Sequence, residues 1–190
     1  MGKSQKGSNW EREFSKRLSL WWTNNEKDDV FWRVMASGGR ATVRMKSGKT
    51  TANQSGDIMA TDPVGLPLIA LCSLELKAGY NKELDFLTIV DGKGKKPCLL
   101  EQFMKQTYVS ASQSGKKVLP ILVIKRDRHN PVIGLDYDLY SKVGWSLPDS
   151  APSILIVKGI YEMIFFTLDD FFKWFKPDTF KKVYETQTKE

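Results

Sequence analysis

The chain has 190 residues, 41% hydrophobic and 27% charged, which suits one globular domain with an extension. Its 29 lysines and arginines outweigh 22 acids, and the net charge of +7 favours a polyanionic partner, nucleic acid before membrane. A single histidine and two scattered cysteines argue against a zinc site and against nucleases built on paired histidines. Any hydrolytic chemistry is therefore expected to come from carboxylates and lysine.

The first residues, MGKSQKGSN, lack the apolar stretch of a signal peptide, and no segment has the length of a membrane span. We expect Cys72 and Cys98 to be reduced core residues, because they form no metal or redox pattern. His129 is expected at the surface of a polar turn. These features predict a soluble protein of the cytoplasm of a prokaryotic or phage-infected cell.

Hydrophobic periodicity and turn signals predict the elements in chain order. They are a helix over 8–23, strands over 30–36, 57–62 and 66–77, a helix over 97–114 and a strand over 118–125. The second and third strands flank a Pro-Val-Gly turn and are expected to pair as a hairpin. Strand-like segments over 131–140, 153–159 and 161–167 follow, and then a short helix capped by Thr167.

This order predicts an α/β fold: a mixed sheet flanked by helices, with an α-β-β-β-α-β core and C-terminal strand and helix additions. We expect residues 1–140 to form the core and residues 141–190 an extension packed on it. The aromatic segment FFKWF (residues 171–175) is expected to cover the core or to form a dimer surface.

The segment CSLELKAGY (residues 72–80) ends an apolar run with two charges, Glu75 and Lys77. Side chains alternate across a strand, so these two share one face. A carboxylate beside a lysine can hold Mg²⁺ and place an ammonium near a water or a phosphate. The alternative is a strand end that leaves the core for solvent. The same spacing recurs at Asp91–Lys93, but in a predicted loop with no strand to fix its geometry.

A second carboxylate, Asp57, follows Gly56 at the start of the preceding predicted strand. It is a candidate partner of Glu75, because a hard cation needs more oxygen ligands than one carboxylate supplies. The expected hairpin places Asp57 opposite Leu71, so the longer strand must bend to bring the two acids together. Asp57 can also be an ordinary strand-start aspartate.

Helical periodicity separates the two glutamates of the sequence WERE. At about 100° per residue, Glu11 falls inside the apolar arc of the first helix, and Glu13 falls on the side of Arg12 and Lys16. An inward carboxylate is costly unless it meets a cation. Glu11 is therefore expected to face a metal, and the alternatives are that it pairs with a buried arginine or caps another element; Glu13 is expected to be solvated.

The segments KGSNWERE, ASGG, GDIMATD, LELK and LPILVIK, in this order, resemble the motifs of the PD-(D/E)XK nucleases. More narrowly, they resemble archaeal-type Holliday-junction resolvases and related phage or restriction endonuclease-like proteins, over about residues 5 to 126. The resemblance implies Mg²⁺-dependent phosphodiester hydrolysis, with Mn²⁺ as a substitute. It also implies that Glu11, Asp57 and Glu75 are the metal-site acids, that Lys77 is catalytic, and that Ser37 lies near the scissile phosphate.

Two departures from the family pattern affect substrate choice more than chemistry. Gly56 stands where the family usually has a proline, and the segment between Ser37 and Asp57 is much longer than in compact resolvases, as is the C-terminal addition. From Val30 to Gly56 the chain carries no acid but five cations: Arg33, Arg40, Arg44, Lys46 and Lys49. A flexible basic loop suits contacts to DNA phosphates, although it can also be merely solvated.

The predicted helix over 97–114 carries Gln102 and Gln106 on a stripe away from its apolar face. Related nucleases often place a glutamine of this helix near the active site, so both are candidate DNA contacts; the alternative is a solvated polar face. Together, these residues and the family resemblance predict a Mg²⁺-dependent DNA endonuclease that acts on branched DNA like a Holliday-junction resolvase and forms a homodimer. The alternatives are a restriction-type or nicking endonuclease on duplex DNA, and a non-catalytic DNA-binding protein that retains the fold.

Overall fold

The structure, a computed structural model, describes residues 3–34, 56–80, 84, 86–91, 97–113, 118–143 and 152–189. The core elements are helix α1 (Lys3–Trp22), strands β1 (Phe31–Arg33) and β2 (Ile58–Ala60), a 3₁₀ turn (Pro63–Gly65), helix α2 (Leu66–Leu71) and strand β3 (Cys72–Ala78). Helices α3 (Leu87–Asp91) and α4 (Leu99–Ser112) and strand β4 (Leu119–Lys125) follow. The C-terminal part contains β5 (Val132–Asp136), α5 (Tyr137–Lys142), β6 (Ile154–Lys158), β7 (Tyr161–Thr167), α6 (Leu168–Trp174) and α7 (Pro177–Gln187).

The main sheet has five strands in the order β3-β4-β5-β7-β6. Strands β3 and β4 are parallel, and every other neighbouring pair is antiparallel. Strands β1 and β2 form a small antiparallel sheet, in which Arg33 pairs with Ile58. This small sheet meets the edge of β3 through a parallel bridge between Gly56 and Leu74. The predicted mixed α/β sheet with flanking helices is confirmed.

Helices cover both faces of the β3–β4 pair, so both faces are apolar. On one face, α1 packs its buried stripe against β1 and β3; this stripe consists of Trp10, Phe14, Leu18 and Trp22. On the other face, α4 packs Leu100, Phe103 and Met104 over Leu122 and Ile124. The two charged side chains of β3, Glu75 and Lys77, also lie on the α4 face, where they contact Gln106 and Phe103 next to this apolar cluster.

The C-terminal aromatics belong to the core. Phe171, Phe175 and Phe180 are fully buried and contact Trp21 of α1 or the ring of Phe166. Thr167 caps α6 by accepting a hydrogen bond from the backbone of Asp170. The core-covering interpretation of FFKWF and the predicted Thr167 cap are thus confirmed.

The predicted strand over 66–77 is wrong in its first half. Residues 66–71 form helix α2, and only Cys72–Ala78 is a strand. A short apolar run such as LPLIAL does not distinguish a buried strand from a buried helix, and proline fits the first helical turn. The predicted hairpin is wrong too, because β2 pairs with β1 and not with β3.

Other helices and strands also begin or end at residues that differ from the prediction. Helix α1 begins at Lys3, not near Ser8, and β1 ends at Arg33, while residues 35–55 lie outside the described part of the chain. The last four residues of the segment 131–140 belong to helix α5, whose cap is Asp136. Helix α7 was not predicted. Among the helices that the structure describes, none is long and apolar enough to cross a membrane.

Candidate active site

Glu75 and Lys77 lie together under helix α4. The Lys77 Nζ atom is 2.7 Å from Glu75 Oε1, and only 7% of the Glu75 side chain and 13% of the Lys77 side chain are exposed. Gln106 donates a hydrogen bond of 2.8 Å from Nε2 to the same Oε1, while Ser110 Oγ lies 3.4 Å from Glu75 Oε2. The ring of Phe103 lies 5.4 Å from the ammonium. Glu75 is thus held by three donors from two elements.

The local sequence explains this arrangement. Glu75 and Lys77 are two residues apart on one strand, so both side chains leave β3 on the same face. Gln106 and Ser110 are four residues apart on α4, so both face the same strand across the apolar contact. The sequence-based expectation that Glu75 and Lys77 share a face is confirmed.

Asp57 reaches the edge of β3 through a close backbone approach. Its amide donates to the Leu74 carbonyl at 2.7 Å, and its own carbonyl accepts from Val34 at 2.8 Å. Gly56 has φ +85°, and a Cβ there would overlap the backbone of Leu74. Only glycine fits this position, so a proline, which the resemblance led us to expect here, could not adopt this backbone conformation. Asp57 therefore lies beside residues 74–76 and not opposite Leu71.

The Asp57 carboxylate is electrostatically strained. Burial, and next the charge of Glu75, raise the pKa of Asp57 to about 6, with a further contribution from Glu11. The hydrogen bond of 2.8 Å from the Leu76 amide to Oδ2, and the charge of Lys77, act in the opposite direction. Within the described residues, Oδ1 accepts no hydrogen bond. Asp57 and Glu75 are thus two carboxylates close enough to repel each other, and no described residue donates a hydrogen bond to Oδ1 of Asp57.

Glu11 faces inward and is paired. Its Oε2 atom lies 3.1 Å from Nη1 of Arg33, which also contacts the Ser8 hydroxyl. Burial raises the pKa of Glu11, and the Arg33 charge and hydrogen bond oppose that shift. Glu13 is exposed. The expected separation of the two glutamates is confirmed, and the buried arginine foreseen as a partner of Glu11 is Arg33.

The residues present fit a divalent cation only in part. Among the described residues, no group of three or more histidine, cysteine, aspartate or glutamate side chains is gathered tightly enough to hold a metal. Asp57 and Glu75 supply two carboxylates, and a cation between them would relieve the repulsion that raises the Asp57 pKa. Hard cations accept water and phosphate oxygens at their remaining positions. Glu11 acts on this pair through its charge, while its carboxylate is tied to Arg33.

Several predicted site residues lie elsewhere. Ser37 and four cations of the basic segment, namely Arg40, Arg44, Lys46 and Lys49, lie outside the described residues. Gln102 donates to the Pro97 carbonyl at 2.7 Å and supports the start of α4, whereas Gln106 reaches Glu75. His129 is exposed, Cys72 and Cys98 are free, and burial raises the pKa of the Cys72 thiol.

Two site residues escaped the sequence interpretation. Ser110 follows Gln106 by four positions, so the helical period that selected Gln106 also indicated Ser110. Ser8, at which the predicted first helix begins, contacts Arg33 because α1 begins at Lys3 and Ser8 lies inside the helix. Helix start signals give boundaries less reliably than periodicity gives faces.

A family model described as "Phage putative PDDEXK endonuclease" matches residues 2–182. No curated protein and no solved structure matches the chain.

Proposed function

The chain belongs to this phage PDDEXK endonuclease family, and from that premise we propose that it is a divalent-metal-dependent DNA endonuclease. The observation that carries the proposal is the geometry at the end of β3. Two carboxylates, Asp57 and Glu75, repel each other there, and the ammonium of Lys77 lies 2.7 Å from Glu75. A non-catalytic DNA-binding protein has no need of an internal carboxylate pair.

Asp57 and Glu75 are the proposed ligands of Mg²⁺, for which Mn²⁺ would substitute, and Glu11 completes or orients the site. When bound, such a cation polarises the scissile phosphate and lowers the pKa of a coordinated water. Asp57 is suited to this role because, among the described residues, only the Leu76 amide hydrogen bond and the charge of Lys77 favour its charged form, whereas burial and the charges of Glu75 and Glu11 oppose it. Gln106 and Ser110 hold Glu75 so that its carboxylate keeps one orientation.

Lys77 is the proposed catalytic cation. Its ammonium is anchored between Glu75 and the Phe103 ring, so it keeps a fixed position at the edge of the site. From there it can orient the attacking water and stabilise charge that develops on the phosphate. Ser37 is proposed to lie near the same phosphate, by resemblance to the family.

DNA contacts are proposed for Arg33, Gln102, Gln106 and the four cations of the basic segment between Ser37 and Asp57. Arg33 already binds Glu11, so contact with a phosphate requires exchange of one anion for another. This exchange would release the Glu11 carboxylate beside Asp57 as the substrate arrives. Contacts of this kind give affinity without base readout.

The proposed substrate is branched DNA of the Holliday-junction type, and the proposed assembly is a homodimer, because paired cuts need two sites related by a two-fold axis. The proposed location is the cytoplasm of a prokaryotic or phage-infected cell. A restriction-type or nicking activity on plain duplex is the second candidate, with the same chemistry and a different substrate.

The test is a cleavage panel of four-way junction, flap, single-stranded and duplex DNA, each with Mg²⁺, with Mn²⁺ and with EDTA. Lys77→Ala is the inactive comparison, and Glu13→Gln is the control for loss of a remote charge. We expect metal-dependent cleavage, fastest on the junction. Preference for duplex would select the second candidate. Binding without cleavage of any substrate would contradict the proposal, and so would full activity in EDTA.

A further inference from the structure

A second basic surface lies at the turn between β4 and β5. The sequence Lys125-Arg126-Asp127-Arg128 places three cations and one acid directly after β4. Strand β4 is parallel to β3, with Ile124 beside Lys77 and Lys125 beside Ala78. The turn therefore leaves the sheet at the end that carries Lys77. A backbone hydrogen bond of 3.1 Å from Gly79 to Lys125 ties the two strand ends together.

The side chain of Lys125 points toward α1. Val123, two residues earlier on the same strand face, is buried in the cluster that contains Trp10. The Lys125 ammonium lies 5.7 Å from the centre of the Trp10 ring, and Trp10 directly precedes Glu11. Lys125 thus lies between its own strand β4, the neighbour of the strand that bears Lys77, and the helix that bears Glu11. The aromatic contact holds the long side chain in place, which lowers the entropy lost on binding an anion.

Within the described residues, the three cations of this turn form no ion pair with an acid. Lys125 Nζ donates to the His129 carbonyl at 3.4 Å, which closes the turn. Among the described residues, neither Lys125, Arg126 nor Arg128 forms an ion pair. Other surface lysines differ, since Lys27 and Lys142 bind acids at 2.7 and 2.6 Å. The charge of the turn therefore remains available to an external anion.

From this geometry we infer that Lys125, Arg126 and Arg128 form a phosphate-binding surface for the DNA strand that enters the site. The inference rests on the proposed endonuclease function, which it extends by naming where the flanking backbone lies. The ligand is the sugar–phosphate backbone, so the contacts carry affinity and position without base readout. The surface places the flanking phosphates over the C-terminal ends of β3 and β4, on the side of α1.

Two variants that remove the same charge test the inference. The first is Lys125→Gln with Arg126→Gln and Arg128→Gln. The control is Lys158→Gln with Lys182→Gln and Lys189→Gln, which changes lysines on β6, at the opposite edge of the sheet, and in the C-terminal helical region. DNA affinity is measured without metal over a range of salt concentrations.

Each phosphate contact contributes about 0.9 to the slope of log affinity against log salt on duplex DNA. We expect the turn variant to lose about two to three units of slope and the control variant less than one. Equal slopes in the two variants would overturn the inference. If the unmodified protein neither binds DNA nor cleaves it with metal, the proposed function fails, and that result is distinct.

A second readout locates the contact. Uncharged methylphosphonate groups are introduced one at a time at the phosphates that flank the cut. We expect at least one position within a few nucleotides of the cut where the neutral group weakens binding of the unmodified protein about threefold or more, and of the turn variant hardly at all. If every sensitive phosphate stays equally sensitive in the turn variant, the surface does not contact the flanking backbone and the inference is wrong.

Discussion

Asp57 is a half-buried aspartate and Asp136 a buried one, and their surroundings differ in kind. Asp136 caps α5 by accepting hydrogen bonds from Asp138 and Leu139, and its other oxygen accepts a bond of 2.6 Å from the Tyr108 hydroxyl. Asp57 accepts one backbone hydrogen bond, and its charged neighbours include two further acids.

The two aspartates differ in how their charge is compensated. Neutral donors satisfy both oxygens of Asp136, so its charge stabilises the surrounding backbone. Within the part of the chain that the structure describes, Oδ1 of Asp57 accepts no hydrogen bond, and Glu75 repels the Asp57 carboxylate, which costs stability unless a cation binds. We therefore expect the Asp57 carboxylate, which the backbone contact of Gly56 and Asp57 with Leu74 holds in place, to serve function more than folding.

The largest expected effect is on catalysis at Lys77, the cation nearest the acid pair. Lys77→Ala should slow single-turnover cleavage at least about a hundredfold, because the positioned ammonium is lost. DNA affinity should remain within a few fold, since it comes from other phosphate contacts. Lys142→Ala is the matched control, because Lys142 also binds an acid, Asp138 of α5. If affinity falls with the rate, Lys77 is an anchor for DNA and not a catalyst.

The next effect is on stability, and it should have opposite signs at the two aspartates. The pKa of Asp57 is raised to about 6 from 3.8, so its neutral form stabilises the fold at low pH and that contribution is lost as pH rises through about 6. In EDTA, Asp57→Asn should therefore raise the free energy of unfolding by about 2 kcal/mol at pH 8 and change little at pH 4. Asp136→Asn should lower it by about 1 kcal/mol at pH 8, because charge-assisted hydrogen bonds are weakened.

Urea denaturation at the two pH values measures both changes. If Asp57→Asn is less stable than the unmodified protein at pH 8, the charged form of Asp57 stabilises the metal-free protein, as the charged form of Asp136 is expected to do. The two aspartates would then not differ in the way described above.

A smaller effect separates Glu11 from Glu13. Glu11→Gln keeps the volume and should lower the single-turnover rate at saturating Mg²⁺ at least about tenfold, a barrier change of roughly 1.4 kcal/mol. Glu13→Gln should be nearly silent, because Glu13 is exposed and points away from the site. If the two variants cleave at equal rates, or if Glu13→Gln is the slower one, Glu11 is not the functional carboxylate of α1.

The smallest effect concerns the ion pair of Glu11 and Arg33. If Arg33 must leave Glu11 to contact a phosphate, Glu11→Gln should tighten metal-free DNA binding, and Arg33→Ala should abolish part of that gain. The double-mutant cycle should give a coupling of about 1 kcal/mol, or about fivefold in affinity. Additive effects would mean that Arg33 serves Glu11 alone and does not contact DNA.

Periodicity predicted the site's faces well. The period of two placed Glu75 and Lys77 together, and the period of 3.6 chose Glu11 over Glu13, because both depend only on local geometry. The approach of Asp57 to Leu76 could not be predicted, since it depends on a non-local bridge at Gly56. That bridge replaces the expected hairpin and brings Asp57 closer to Glu75 than the hairpin allowed.

The helix over 66–71 and the C-terminal helices α5 and α7 were missed by the sequence interpretation, for different reasons. A continuous apolar run carries no period, so its type is decided by tertiary packing. By contrast, a signal for α5 was present, since Asp136 precedes a short polar segment with an acid in its first turn. The Lys176-Pro177-Asp178 sequence equally indicated the start of α7.

Mn²⁺ binding in the absence of DNA tests most directly whether Asp57 is a metal ligand. Free Mn²⁺ can be followed by its electron paramagnetic resonance signal during titration with the unmodified protein, Asp57→Asn and Asp136→Asn. We predict that Asp57→Asn weakens Mn²⁺ binding at least about tenfold, while Asp136→Asn binds like the unmodified protein. Equal binding by all three proteins would contradict the assignment of Asp57 as a metal ligand, and with it the account of the site.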